Sequence, residues 1–263
     1  MTVVQTGPRC DIKIADLAPI PLGSLVLIAS HYRDWRDAAL VRAAANGSGT
    51  GGILYLALSE HPGVALDRWQ NELARRIESL ARQAADKEHG EHEPSYDDAS
   101  KIHLDASWRT ARAATIDREQ QQLWRLVEAI DISIESVARP TVQAISRTIT
   151  PIAGSTRMLV VDDMASMRRS NGTSGSPRMA GEHARALKDL AVELNILVLA
   201  GLSAPQVFEK NRKEQVERFV SPSDFASLGQ PDAAADAVIT AVEGYHGYEE
   251  SIVTARYGSV RRR

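Results

Sequence analysis

The sequence predicts an α/β fold, a mostly parallel central sheet flanked by helices and interrupted by a helical insertion. Short apolar runs bounded by turn residues recur at Leu25–Ala29, Ile53–Leu58, Met158–Val161 and Ile196–Ala200. Between the first two lies a helix-compatible stretch, Trp35–Ala45. Strand, helix, strand over about forty residues is the unit from which parallel sheets are built. With 263 residues, 43% of them hydrophobic, the chain is long enough to bury a large core. A globular chain of that size removes about 70–75% of its unfolded surface from water and needs no disulfide or metal to hold it.

Residues 1–20 read as an irregular N-terminal segment, after which Gly23-Ser24 opens the first strand. The turn-rich stretch Asn46–Gly52 leads into the second. Pro62 suits a first helical position, and Leu66, Trp69, Leu73, Ile77 and Leu80 follow at three- and four-residue spacing, which gives one apolar helix face. The stretch Asp86–Asp98 is dense in Asp and Glu and reads as a solvated loop. Ile102-His103-Leu104 alternates as a short strand would.

A helix is expected over Thr115–Ala138, where Leu123, Val127, Ile130, Ile134 and Val137 keep a 4-3-4-3 rhythm. That seam packs either on the protein's own core or against a partner. Pro140 ends the helix, and a short helical piece follows. Met158–Val161 is a strand ending in two carboxylates, Asp162 and Asp163. A Ser- and Gly-rich loop, Arg168–Arg178, precedes a helix over Gly181–Leu194 and the strand Ile196–Ala200. Ala235–Val242 and Ser251–Ala255 are strand-like, and the chain ends on Arg261-Arg262-Arg263.

The net charge of −3 excludes a globally basic nucleic-acid coat. A single cysteine, Cys10, excludes an intrachain disulfide and points to a reducing, cytoplasmic setting. No apolar run reaches the roughly 18 residues of a membrane span, and the N-terminus lacks a signal-peptide pattern, so no membrane partner is expected. His89 and His92, with Glu88, Glu91 and Glu93, have the ligand types for a metal. They stand in a hydrophilic run with no rigid frame, which favours a solvated loop. No hydrolase nucleophile elbow and no dinucleotide-binding glycine pattern is present.

Three stretches carry a family resemblance. Met158–Met167 is similar to an apolar strand ending in a Walker B aspartate. Arg185–Asn195 is similar to the helix before the next core strand. Ser223–Asp236 keeps a register of Ser-Asp at its start, Gly in the middle and Ala-Asp at its end. Together they resemble the RecA-like motor domain of DnaB-type replicative helicases, which implies a P-loop NTPase type of fold over residues 21–263. The resemblance covers roughly Pro21–Asp67 and Arg157–Gly258, so an insertion is expected at about 68–156.

The chemistry implied by that resemblance has to be found residue by residue. A phosphate loop needs glycines, a lysine and a Ser or Thr, so that backbone N–H groups, a compact cation and magnesium can meet the phosphates. In that register the chain places Ser30 at the strand end, Trp35 at the last glycine, Arg36 at the lysine and Asp37 at the hydroxyl residue. The position of the catalytic glutamate falls on Ser59, with Glu60 one residue late on the opposite face unless a bulge restores it.

Ser203 aligns with the sensor glutamine. Thr254-Ala255-Arg256 stands at the Lys-x-Arg finger, and Ala226-Ser227 at the Arg-Glu pair of the DNA loop. Asp162, with Asp163, keeps the Walker B position, where the two acids either cap the strand or bind a divalent ion. Arg168, Arg169 and Arg178 lie in a loop that faces the central channel in ring helicases and are candidates for single-stranded nucleic acid.

The expected function is that of a catalytically inactive helicase homologue acting through a protein partner or self-association, in DNA replication or a mobile-element context, with no cofactor. An active ATPase binding ATP and magnesium through an unusual loop, or a nucleotide-independent nucleic-acid-binding module, are the alternatives.

Overall fold

A computed structural model describes residues 20–47, 51–90, 101–169, 177–208, 217–244 and 247–255. Cys10, Glu91, His92, Glu93, Arg256, Arg261–Arg263 and the middle of the 168–178 loop lie outside the described residues. The described chain divides into two compact units, one of residues up to Arg68 together with those from Asp131, the other Trp69–Ile130.

The first unit is built on a seven-stranded sheet. Its strands are β1 (Leu25–Ser30), β2 (Gly52–Leu56), β3 (Ile132–Glu135), β4 (Thr156–Val161), β5 (Leu197–Ser203), β6 (Ala237–Gly244) and β7 (Gly247–Ala255). They lie in the order β3-β2-β4-β5-β1-β6-β7. The first six in that order run parallel, and β7 pairs antiparallel with β6. The helices are α1 (Arg33–Gly47), α2 (Pro62–His89), α3 (Lys101–Glu128), α4 (Val142–Ile149) and α5 (Ala180–Leu194).

β1 is buried along its whole length, as a central strand of a parallel sheet covered on both faces must be. Leu25, Leu27 and Ala29 share one core with Leu187, Leu190 and Ala191 of α5 and Ile145 and Ile149 of α4. The alternate residues face the side covered by α1. A Cβ on Gly201 of β5 would stand 3.1 Å from a methyl of Leu40 and 2.1 Å from the carbonyl oxygen of Asp162. Only glycine fits between those two.

The motif residues that carry the family resemblance hold this packing together. Asp236 is buried just before β6 and accepts from the backbone N–H of Leu25 (2.7 Å) and from Nζ of Lys188 (2.8 Å). Lys188 also donates to the carbonyl of Gly23 (2.7 Å), so one buried carboxylate fixes the start of β1, α5 and β6 together. Gly229 ends the 3-10 turn Pro222–Leu228 at φ +79°. A Cβ on Gly181, at the start of α5, would lie 1.8 Å from the Gly229 carbonyl oxygen. The close approach of these two backbones is why glycine stands at both places.

Two expected elements are corrected. Ile102-His103-Leu104 is not a strand but part of α3, because Lys101–Glu128 contains no Gly or Pro and sustains a helix that three alternating residues cannot interrupt. The seam of Leu123, Val127, Ile130, Ile134 and Val137 does not exist as one helix face. α3 ends at Glu128; the Ile130 N–H closes a turn onto the Val127 carbonyl (3.0 Å), and Ile134 pairs with Tyr55 across β3 and β2. Val137 packs, partly buried, against the main core. From Ile130 to Glu135 apolar and polar residues alternate strictly, which is a strand period, and the free edge of β2 was available to pair with it.

The acidic stretch is also more ordered than a loop at its start, since α2 runs on to His89. Asp86 is paired with Arg112 (2.6 Å) and Glu88 with Arg118 (2.9 Å) of α3. The short helix expected after Pro140 is α4, whose N-terminus is capped by Thr141 Oγ1 accepting from the Ala144 N–H (3.1 Å).

Asp224 gives the fold a measurable pH dependence. Both its oxygens accept from the guanidinium of Arg218 (2.8 and 2.9 Å), and one also accepts from the N–H of Ser221 (2.7 Å). Arg218 above all, with Ser221, holds this carboxyl well below the usual carboxylate range. A lowered folded-state pKa stabilises the protein above the unfolded value of about 3.9, and that contribution is lost as pH falls towards the folded value. Asp224→Asn is therefore less stable than wild type at pH 7 and loses less on going to pH 3; urea midpoints at the two pH values check both statements.

Candidate functional site

Ligands of open parallel sheets bind beyond the carboxyl ends of the strands, next to the point where strand order reverses. Here that point is β1, which leads leftward to β2 while β6 lies on its right. The side chains gathered there come from the end of β1 and start of α1, the turn after β2, the start of α2, and the ends of β4 and β5.

The residues in the register of the phosphate loop turn inward. Ser30 Oγ accepts from the Tyr32 N–H (3.0 Å). Trp35 is 4% exposed, its indole committed to the protein interior. Arg36 is 3% exposed, and all three of its guanidinium nitrogens have partners: Nε and Nη2 each lie 3.2 Å from Asp37 Oδ1, and Nη1 donates to Ser203 Oγ (2.8 Å) and lies 3.8 Å from Asp163.

Asp37, equally buried, is surrounded by cations. Its Oδ2 lies 3.1 Å from Arg68 Nη1 and 3.4 Å from Arg33 Nε. Glu60 belongs to the same cluster, with its Oε2 bonded to Arg68 Nη2 and 3.8 Å from Arg33 Nη2. The one-residue slip in the sequence register therefore does not remove Glu60 from the site. Burial alone would lower the Arg68 pKa, but the charges of Asp37 and Glu60 outweigh it and hold the guanidinium above its ordinary value.

The Walker B position is occupied by its own neighbours too. Asp162 Oδ1 accepts from the Leu58 N–H (2.9 Å), and Oδ2 from the Ser59 hydroxyl (2.9 Å) and N–H (3.4 Å). Burial pushes its carboxyl up despite those donors, and Asp163 adds to the rise. Asp163 caps the next 3-10 turn, accepting from the Ala165 N–H (3.0 Å) and the Ser166 hydroxyl (3.2 Å). Beneath them burial, with Asp162 and Asp37 nearby, pushes the Tyr55 phenol up.

Sequence reasoning missed Arg68, Arg33 and Glu217 as members of this region. Arg33 and Asp37 are four apart on α1, a legible helical ion pair. Nothing in the sequence places Arg68 near Asp37. Glu217 returns from the chain after β5 to accept from the Tyr32 hydroxyl (2.5 Å) and to meet His31 Nδ1 (3.3 Å).

Other candidates lie apart. Arg168, Arg169 and Arg178 are exposed, with Arg169 Nε 2.9 Å from Met179 Sδ. Ala226 and Ser227 stand exposed on the 3-10 turn that Gly229 ends. His89 closes α2 with its ring nitrogen 2.9 Å from Thr115 Oγ1, so it is held at a helix end rather than in a solvated loop. Among the described residues no three metal-ligating side chains cluster to hold an ion.

Chemically this is a compensated ion cluster of three guanidinium groups with Asp37, Glu60 and Asp163, and with Asp162 beside it. It does not fit a magnesium–triphosphate. A triphosphate would have to strip Arg36 from Asp37 and Ser203, then lie against a buried carboxylate at ordinary ion-pair distance. In a protein interior like charges at that distance repel by several kcal/mol even at an effective dielectric constant of about 20.

Among solved structures the chain is similar to the ATPase domain of a DnaB-like helicase, with a TM-score of 0.58 and 18% identity over 91% of this chain and 80% of that one. It is also similar to a DnaB-like replicative helicase known from its structure and interactions with primase, with a TM-score of 0.56 and 16% identity over 90% of this chain. This chain covers 53% of that second helicase, about half its length. These likenesses establish the fold expected from the sequence, that of helicase ATPase domains. No protein-family model and no curated protein matches the sequence.

The place of Trp35 yields an experiment. Trp35→Ala removes a buried indole and lowers stability by about 3–5 kcal/mol in urea unfolding, without creating an ATP site. An unchanged urea midpoint would mean that the indole is not part of the packed interior.

Proposed function

We propose that this chain is a DnaB-like helicase homologue without ATPase activity, acting as an interaction or regulatory protein in DNA replication or a mobile-element context. The observation that carries the reading is Arg36. At the position of the phosphate-binding lysine stands a buried guanidinium whose nitrogens are all taken by Asp37, Ser203 and Asp163. Uncompensated positive charge is what recruits phosphate, and this cation has none to offer. The magnesium-binding hydroxyl is replaced by a carboxylate that is itself paired three ways.

An interaction role is supported by α3. From Ser107 to Glu128 only Thr115 is buried, while Trp124 and Leu126 are exposed. Helices of this length in globular proteins ordinarily bury a full apolar stripe. Either a protein partner or a second copy of the chain is the kind of molecule such a surface serves. No helix among the described residues is long and apolar enough to cross a membrane.

Calorimetry with magnesium and ATP tests the central statement. The expected result is a Kd weaker than millimolar, with no phosphate released. A micromolar Kd corresponds to about −8 kcal/mol, which this cluster cannot supply, and measuring one would restore the reading of a working ATPase.

A second reading, nucleotide-independent binding of single-stranded nucleic acid, is favoured by the exposure of Arg168, Arg169 and Arg178. Such binding weakens steeply with salt, with a log–log slope of about −0.7 per neutralised phosphate. Replacing all three arginines with alanine should flatten the slope by about two units; no binding at low salt would leave a protein partner alone.

A further inference from the structure

Asp37 and Glu60 belong to different elements, α1 and the turn after β2, and the cluster joins them twice. Arg68, from the first turns of α2, reaches Asp37 Oδ2 with Nη1 (3.1 Å) and Glu60 Oε2 with Nη2. Arg33 spans the same two oxygens with Nε (3.4 Å) and Nη2 (3.8 Å). The two carboxylate side chains are only 4% and 9% exposed, while Arg68 is 25% and Arg33 53% exposed. The acids are therefore sealed beneath the two guanidinium groups.

We propose that Arg68, assisted by Arg33, is a latch in cis that holds the mouth of the old nucleotide site closed without any ligand. The domain then presents one constitutive state to its partner instead of a nucleotide-switched one. This rests on the reading of the rim as a site filled by its own side chains. A ligand shifts a conformational equilibrium only through a difference in affinity for the two states. Here the chain itself supplies the charge that a switching ligand would bring, and supplies it intramolecularly, at an effective concentration free ligands do not reach. Opening would leave two nearly buried carboxylates without counter-charges, which disfavours the open state strongly. Arg33, half in solvent, is screened and contributes less than Arg68.

The test uses the full chain without nucleotide. Thermal midpoints are measured for Arg68→Gln, Asp37→Asn, their combination, and Arg33→Gln. The latch predicts a fall on the order of 10 °C for Arg68→Gln, a much smaller one for Arg33→Gln, and a double variant that falls by clearly less than the sum of its singles. Additive losses overturn it.

Hydrogen exchange separates a latch from a general prop. In Arg68→Gln, exchange should quicken in Ser30–Asp37 and Ala57–Gly63 and stay as in wild type in β4, β5 and α5. A uniform increase overturns the proposal. If Arg68→Gln does not fold, Arg68→Lys decides, since one ammonium cannot hold both carboxylates in a planar fork. A lowered midpoint with local exchange supports the latch, and a wild-type midpoint overturns it. ATP binding by wild type would defeat the proposed function while leaving the outcome of the cycle to stand or fall separately.

Discussion

Asp37 sets the condition that the rest of the rim obeys. A carboxylate as buried as this one is tolerated only with counter-charges in contact, since removing one partner of a buried pair costs several kcal/mol. Arg36 meets it on one oxygen, and Arg33 and Arg68 on the other. Those arginines in turn recruit Glu60, Ser59, Ser203 and Asp163, so one acidic side chain at the start of α1 draws together the ends of β1, β2, β4 and β5. The site is a closed electrostatic circuit, and its completeness leaves no unbalanced cation for phosphate.

The residues shared with helicase motor domains divide by what they touch. Asp236 and Lys188 tie the start of β1 to α5 and β6; Gly229 and Gly181 let two backbones meet; Asp224 closes the capping box of its own 3-10 turn with Ser221. Each acts on packing, and each is present. The positions that in the resemblance would touch nucleotide or DNA, from Trp35 to Asp37, Ser203 and Ala226-Ser227, hold other residues. Folding requires the first group whatever the domain does, whereas phosphate chemistry requires the second. A fold retained with its chemistry replaced is what that division amounts to.

Asp162 illustrates how a position can persist under a different duty. It sits at the end of β4 as a metal-binding aspartate would, yet its oxygens accept from Leu58 and Ser59 and fasten the turn after β2. The same turn carries Glu60 into the cluster. A carboxylate that holds a neighbouring loop by three hydrogen bonds is structurally indispensable without performing chemistry.

The sequence by itself determined the sheet, because strands buried on both faces must be nearly all apolar and helices between them must show their own period. It also determined that the phosphate loop was altered, since Trp35, Arg36 and Asp37 are chemically unlike glycine, lysine and a hydroxyl residue. It misplaced the edge strand β3, whose short alternating run Ile130–Glu135 overlaps a helical spacing that began in α3; only pairing with the open edge of β2 decided between the two periods. Tertiary structure alone decided the partners of the altered loop. Arg68 and Glu217 are far from Asp37 and Tyr32 along the chain, and no local pattern encodes such a meeting. Ion pairing of that kind depends on where the ends of separate strands come to lie, which is fixed by the sheet order rather than by neighbouring residues.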